Sequence, residues 1–140
     1  KEGEAFVCSK IADIYENNKE NVELALKYYQ MALSLYKEIN KKGQIALLST
    51  NIADLYYYDK EAYKAALDYY KVSILLYKEL GFKESLVLDL QSMAKIYQKL
   101  NELELSKECW TESFNISKKI NYNYGILSAS KELGHIYFNE

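Results

Sequence analysis

The sequence predicts an all-α protein, and three observations lead to that prediction. The chain has 140 residues, with no proline and only five glycines, the two residue types that most often interrupt helices. Apolar side chains recur every three or four residues along most of the chain, which is the helical period. The chain also repeats itself. The segments KIADIY (10–15), NIADLY (51–56), SMAKIY (92–97) and ELGHIY (132–137) recur at offsets of 41, 41 and 40 residues. A period of this length is typical of stacked helix pairs, that is, of an α-solenoid.

Each repeat is predicted to hold an inner and an outer helix. The inner helix carries apolar residues at helical spacing, as at Ile45, Leu48 and Ile52, and the outer helix does so at Ala66, Tyr70 and the residues that follow. Seven helices are predicted, near residues 4–17, 21–39, 43–58, 61–80, 84–100, 102–120 and 124–139. They form a single domain over 1–140, with repeats at 4–41, 43–82 and 84–121 and a half repeat or cap helix at 124–140.

Polar turns separate the predicted helices. The dipeptides IN (39–40), LG (80–81) and IN (120–121) place Asn or Gly where a helix can end in the left-handed conformation. Asn101, followed three residues later by Glu104, resembles a capping box and is expected to begin the sixth helix.

Composition argues against nucleic acid and membranes as partners. The net charge is −2 and the pI is about 5.6, so no general attraction to polyanions is expected. All 18 basic residues are lysine, and the bidentate arginine fork that reads guanine or phosphate is missing from the chain. The longest apolar stretches, such as VSILLY (72–77), are too short to cross a bilayer.

Candidate catalytic and metal-binding patterns are sparse. Cys8 and Cys109 are 101 residues apart and belong to no Cys/His cluster, so two buried reduced thiols are favoured over a disulfide or a metal site. Reduced thiols agree with a cytoplasmic protein. His135 is the only histidine and has no evident nucleophile beside it, and the glycines are too scattered for a phosphate loop. We therefore expect a protein that is not an enzyme and that needs no cofactor or metal.

The residues at equivalent positions resemble a known pattern. In the inner helices a large apolar residue precedes alanine, with tyrosine three residues on, as in Ile52-Ala53 and Tyr56. The outer helices carry a small residue, an aromatic residue four later and a second small residue three after that. These are Ala25, Tyr29 and Ala32; Ala66, Tyr70 and Ser73; and Ser106, Trp110 and Ser113. This is similar to the tetratricopeptide repeat (TPR) family over nearly the whole chain. The period of 40 to 41 residues, in place of 34, and the missing proline resemble its extended subgroup of bacterial peptide-sensing Rap-type regulators and signalling scaffolds.

The resemblance implies a right-handed solenoid of antiparallel helix pairs whose inner helices line a concave groove. It would place Tyr56 in the core, and Tyr57 and Tyr58 on the groove stripe beside Asn51, where family members often use asparagine to bond a peptide backbone. The candidate groove residues are Asp13, Asn51, Asp54, Tyr57, Tyr58, Gln91, Lys95, Lys131 and His135. Acidic residues in the first half of this stripe and lysines in the second predict a groove with two oppositely charged halves.

The expected function is a protein- or peptide-binding module of a larger signalling or regulatory protein, with a protein or extended peptide segment as partner. Two alternatives stay open at this point. One is a peptide-pheromone-responsive regulatory domain of a transcription factor, phosphatase or kinase, and the other is a structural spacer or self-association module. Chaperone tails are not expected, because the family's carboxylate-clamp positions hold Ser9, Asp13, Leu88 and Ser92 here.

Overall fold

The computed structural model describes residues 1–139, and within that range it is built from helices alone. Seven α-helices follow one another along the chain, and a 3₁₀ turn (Lys19–Asn21) lies between the first two. They are α1 (Glu2–Glu16), α2 (Val22–Glu38), α3 (Lys42–Tyr58), α4 (Tyr63–Leu80), α5 (Lys83–Lys99), α6 (Leu103–Lys119) and α7 (Asn123–Phe138). The predicted all-α class is confirmed, and every predicted helix is present with its ends displaced by no more than two residues.

The chain divides into two compact units, Lys1–Leu76 (unit 1) and Tyr77–Glu140 (unit 2). In unit 1, α2 packs against both α1 and α3. In unit 2, α6 packs in the same way against α5 and α7. Within its own unit, each of these two outer helices thus lies between consecutive inner helices, as a helical repeat requires. The handedness of the solenoid and the single domain over residues 1–140 stay predictions.

The helix ends confirm the residues that were predicted to adopt the left-handed conformation. Asn40, Gly81 and Asn121 have φ of 55°, 76° and 56°. In each case the next N–H closes the turn by bonding back to a carbonyl of the preceding helix, as Tyr122 N does to Ser117 O at 2.8 Å.

The predicted capping box at Asn101 is wrong. Asn101 has the same left-handed conformation, with φ of 59°, and it ends α5 instead of beginning α6. Glu102 N bonds back to Tyr97 O at 2.8 Å, and Glu102 precedes α6 without any side-chain capping bond. Asparagine can begin a helix as a capping residue, and it can end one in the left-handed conformation. The short linker between α5 and α6 decides that Asn101 ends α5.

The core is formed where the small and aromatic residues of the repeats meet. Ala12, Ala53 and Ala94 are each 0% exposed, as expected for residues at a close approach of helices. The aromatic residue of each outer helix, Tyr29, Tyr70 and Trp110, is also 0% exposed. The small residues that flank these aromatics are fully buried in all three outer helices, namely Ala25, Ala32, Ala66, Ser73, Ser106 and Ser113.

Both cysteines are free and half-buried, in contrast to the full burial that the sequence predicts. Burial raises the pKa of the Cys109 thiol to about 11, and the carboxylates of Glu112 and Glu108 act in the same direction. The thiol is therefore a poor nucleophile at neutral pH. None of the helices within residues 1–139 combines the length and the apolar character needed to cross a lipid bilayer.

Gly125, in the first turn of α7, lies at a close approach of α7 to α6. A Cβ built on Gly125 would overlap the Ser117 hydroxyl and lie 3.0 Å from Ser117 Cβ. Ser117 is fully buried, so neither helix can give way without disturbing the core. Gly134 is in the same helix, but it is exposed and a Cβ there would meet nothing within 4 Å.

These two glycines supply a matched test of the packing. Gly125→Ala should lower the free energy of unfolding by about 1–3 kcal/mol, because the added methyl group overpacks the α6–α7 contact. Gly134→Ala should leave stability unchanged or raise it by up to about 1 kcal/mol, through the higher helix propensity of alanine. Urea denaturation of both variants measures the difference, and equal effects would contradict the register of α7 on α6.

Candidate functional site

A small depression with an acidic lining lies in unit 1, where the C-terminal ends of α1 and α3 meet. We call it the acidic depression. Its volume is about 220 Å³, and it is lined by Glu16, Asn17, Asn51, Asp54, Leu55, Tyr58 and Asp59. Helical spacing puts the α3 residues on one face, because Asn51, Asp54 or Leu55, and Tyr58 follow at steps of three or four. The structure thus brings together three of the predicted site residues, Asn51, Asp54 and Tyr58.

Tyrosine hydroxyls from the outer helices tie the inner carboxylates in place. The Tyr29 hydroxyl of α2 has one proton, and two carboxylates share it as acceptors: Asp13 Oδ1, at 2.7 Å, and Glu16. The Tyr70 hydroxyl of α4 donates a hydrogen bond to Asp54. Both pairs are 16 residues apart, and the second lies 41 residues after the first, so the same contact occurs in two successive repeats. Asp13 and Asp54, predicted as ligand contacts, therefore have a structural role within unit 1.

The two equivalent aspartates differ in their electrostatics. Burial alone would raise the pKa of Asp13, but hydrogen bonds from Lys10 and Tyr29 outweigh burial and lower it below the ordinary value of 3.8. Burial raises the pKa of Asp54 above 3.8, with a further increase from Glu16 and only partial compensation by Tyr70. The pKa values differ for two reasons: Asp54 is more deeply buried than Asp13, and only Asp13 has a lysine partner, Lys10, whose ammonium lies 2.8 Å away.

The third repeat lacks this hydrogen bond. Its aromatic residue is Trp110, whose Nε1 is buried and has no acceptor among the described residues. The inner position that holds an aspartate in the first two repeats is Lys95, which can only donate and lies exposed. A buried donor left unpaired costs roughly 1–3 kcal/mol, so the third repeat gives up stability at this position.

The three consecutive tyrosines have three different environments. Tyr56 is half-buried against the core of unit 1 and stacks on Tyr69 with 5.8 Å between ring centroids. Tyr57, which the sequence places on the groove stripe, is half-buried and packs between Tyr58, at 4.5 Å between ring centroids, and Tyr63, at 5.9 Å. Tyr58 is 64% exposed and is the one tyrosine of the three that lines the acidic depression.

Of the four predicted groove residues in unit 2, one is buried and three are exposed. Gln91 is only 3% exposed, and its amide donates to Ser113 Oγ at 2.9 Å and to the Gly125 carbonyl at 3.2 Å. The prediction that Gln91 lines a binding surface is therefore wrong, because this amide joins α5 to α6 and α7. Lys95, Lys131 and His135 are exposed. The single groove predicted to join them to the acidic residues stays a prediction.

The tyrosine–carboxylate contacts are absent from the predictions made from the sequence, although a signal for them exists there. Tyr29 and Tyr70 occur at the same offset of 41 residues as Asp13 and Asp54. A donor and an acceptor that recur together, one on each helix of a pair, indicate a bond between them. Asn17 is a further lining residue, and helical spacing does indicate it, because it follows Asp13 by four residues. It ends α1, and its amide donates to the Asp13 carbonyl at 3.1 Å.

No protein-family model matches this chain, and no curated protein matches its sequence. No group of three or more His, Cys, Asp or Glu side chains within residues 1–139 has the arrangement of a metal site. The function is therefore inferred from the residues of the two units.

The opposite pKa shifts of the two aspartates predict opposite pH dependence. A lowered folded-state pKa at Asp13 contributes stability that is present above pH 3.8 and is lost as the pH falls through the folded pKa. A raised pKa at Asp54 contributes stability at low pH that is lost as the pH rises above 3.8.

Asp13→Asn should consequently become more destabilising, relative to the natural chain, as the pH rises from about 2.5 to 7. Asp54→Asn should become less destabilising over the same range, because the amide still accepts from Tyr70 and carries no charge. Urea unfolding at several pH values measures both, and slopes of the same sign would contradict this assignment.

Proposed function

We propose that this chain is a non-enzymatic TPR-type module that binds an extended peptide segment of a partner protein, with a basic side chain of that segment in the acidic depression. The observation that carries the proposal is the position of Asn51. It lies half-buried on the wall of the depression, between carboxylates and the exposed ring of Tyr58.

Asn51 supplies the chemistry for holding a main chain. Its amide can donate to a carbonyl and accept from an N–H, so one side chain can bond an extended backbone at both of its polar groups. The TPR resemblance supports this role, since family members often use an asparagine at the corresponding inner-helix position. Tyr58 adds a large amphipathic contact surface, of the kind enriched in binding hot spots.

The charges of the depression favour a cation. Glu16, Asp54 and Asp59 line it, and none of the described lysines does. The pKa of Asp54 is raised by burial and by the like charge of Glu16. A positive group that enters the depression would stabilise the ionised form of Asp54. The face of an exposed tyrosine attracts the same ammonium or guanidinium group. A lysine or arginine side chain satisfies both features.

The size of the depression favours a side chain over a small-molecule ligand. Its volume of about 220 Å³ is below the roughly 300–1,000 Å³ of typical small-molecule pockets. It is also open on one side, since Tyr58 and Asp59 are exposed. An extended peptide can leave one side chain in such a place while its backbone continues along the surface.

The test begins with peptides selected for binding to the whole chain from a random display library. We expect the selected peptides to share a lysine or arginine, and replacing that residue with glutamine should weaken binding. Asn51→Ala and Asp59→Asn should each raise the Kd by a factor corresponding to about 1–2 kcal/mol, measured by calorimetry. Their stability should change by only about 0.5 kcal/mol.

Asp68→Asn is the matched control. Asp68 is an exposed aspartate of α4 in the same unit, away from the depression, and the variant makes the same change in net charge as Asp59→Asn. An equal loss of affinity in this control would show that net charge alone drives binding. Selected peptides without a shared basic residue, or no selected peptides, would overturn the proposal.

A further inference from the structure

A second pocket lies in unit 2, where the turn between α4 and α5 meets the C-terminal end of α6. We call it the lysine-rimmed pocket. Its volume is about 250 Å³, and it is lined by Tyr77, Lys78, Gly81, Lys83, Leu86, Ile116 and Lys119. Its walls therefore come from three consecutive helices of the chain, and all seven residues belong to one compact unit.

Backbone hydrogen bonds fix the turn that forms one side of the pocket. Gly81 ends α4 in the left-handed conformation, and Phe82 N bonds back to Tyr77 O at 3.0 Å. Helix α5 then begins at Lys83, and Leu86 N bonds to Phe82 O at 3.0 Å. Lys83 and Leu86 are three residues apart, so they share one face of α5 and both line the pocket.

Gly81 leaves free space at this turn. A Cβ built on Gly81 would meet no atom within 4 Å. The equivalent ends of α2 and α6 hold asparagine, Asn40 and Asn121, in the same left-handed conformation. A side chain is therefore compatible with the turn, and the glycine at the end of α4 keeps this part of the pocket open.

The rim of the pocket is positively charged. Three of the lining residues are lysines, and none of the described carboxylates lines the pocket. The Lys78 ammonium lies 2.8 Å from Glu112. Lys83 and Lys119 are exposed, and neither forms an ion pair within residues 1–139. An anion at the rim would consequently be attracted, and a cation would be repelled.

The floor of the pocket is apolar. It consists of Tyr77 and Leu86, each 5% exposed, and of the half-buried Ile116. The methylene stems of the lysines add further apolar surface. An inorganic anion would leave this surface in contact with water, so the lining favours a ligand that has an apolar body as well as a negative charge.

The volume limits the size of that ligand. About 250 Å³ is the volume of about eight water molecules, so a ligand of about eight to ten non-hydrogen atoms fits. Drug-sized ligands need roughly 300–1,000 Å³. A peptide backbone is also disfavoured, because no lining side chain is an amide and lysine can only donate. A carboxylate needs donors alone.

We infer that the lysine-rimmed pocket binds a small free monocarboxylic acid. Its apolar body lies on Tyr77, Leu86 and Ile116, and its carboxylate accepts charge-assisted hydrogen bonds from Lys83 and Lys119. Both parts are needed, since the body removes apolar surface from water and the carboxylate meets the charge of the rim. This site is separate from the acidic depression and does not depend on the function proposed for it.

The probe is octanoate, which has about the size that the volume allows. A titration of the isotopically labelled whole chain, followed by ¹H–¹⁵N NMR, should give a Kd below about 1 mM and shift the amide signals of Gly81 and Lys83. Octanamide has the same body without the charge, and acetate has the charge without the body. Each should bind at least about tenfold more weakly than octanoate.

Variants of the chain test the location of the site. Gly81→Asn should weaken octanoate binding at least about tenfold, because the new side chain takes the free space while the turn is kept, as at Asn40 and Asn121. Lys83→Gln should weaken it about threefold or more. Lys131→Gln makes the same change in net charge at an exposed lysine of α7 and should leave binding unchanged.

Several outcomes would overturn the inference. Equal affinities for octanoate and octanamide would remove the role of the lysines, and an unchanged affinity in Gly81→Asn would place the ligand elsewhere. An equal loss in Lys131→Gln would show that net charge alone acts. A peptide that ends in leucine and binds at the same residues more tightly than octanoate would assign the pocket to a chain terminus.

Two controls complete the experiment. Circular dichroism of each variant verifies that it is folded. Asn51→Ala should leave octanoate binding unchanged, because Asn51 lines the acidic depression and not this pocket. A failure of the small-acid site is thereby distinguished from a failure of the proposed peptide site.

Discussion

The packing of a buried inner-helix alanine against the small–aromatic–small stripe of the following outer helix, present in the first and third repeats, is the constraint on which both units depend. Ala12, Ala53 and Ala94 have no exposed surface, and neither do the aromatic residues of the three outer helices. Any larger side chain at the alanine would separate the two helices and leave the ring without contacts. Because the alanine sets the distance between the two helices, the tip of the aromatic side chain reaches the polar edge of the inner helix.

That reach explains the electrostatics of the inner helices. In the first two repeats the ring is a tyrosine, and its hydroxyl donates to Asp13 or Asp54. In the third repeat a tryptophan and Lys95 replace the pair, and the buried Nε1 of Trp110 loses its acceptor. The same inner-helix position therefore has two uses. In unit 1 it holds an aspartate that is bonded to the outer helix, and in unit 2 it holds an exposed lysine, Lys95.

The two proposed binding sites follow from different parts of the repeat. The acidic depression uses the C-terminal ends of the inner helices, where carboxylates held by tyrosines lie beside Asn51 and Tyr58. The lysine-rimmed pocket uses the other turn of the repeat, between an outer helix and the next inner helix, where Gly81 leaves space beside three lysines. The first site would recognise a positive charge on an extended chain, and the second would recognise a small apolar molecule with one negative charge.

The sequence by itself determined the helices, their ends and the repeat. Periodic apolar residues locate all seven helices to within two residues, and Asn or Gly at three predicted positions does adopt the left-handed conformation. It also placed Asn51, Asp54 and Tyr58 on one face of α3. These features depend on neighbours along the chain, and local periodicity reports them directly.

The tertiary structure decided the rest, because it depends on which surface each helix covers. Gln91, predicted on an exposed face, is buried, since α6 and α7 both pack over it. Asn101 ends one helix, although its sequence context favours the start of the next. Asp13 and Asp54 bond to tyrosines 16 residues away. Periodicity shows that one side of a helix is apolar, but a polar residue at the border of that side becomes buried or exposed only when a neighbouring helix packs there.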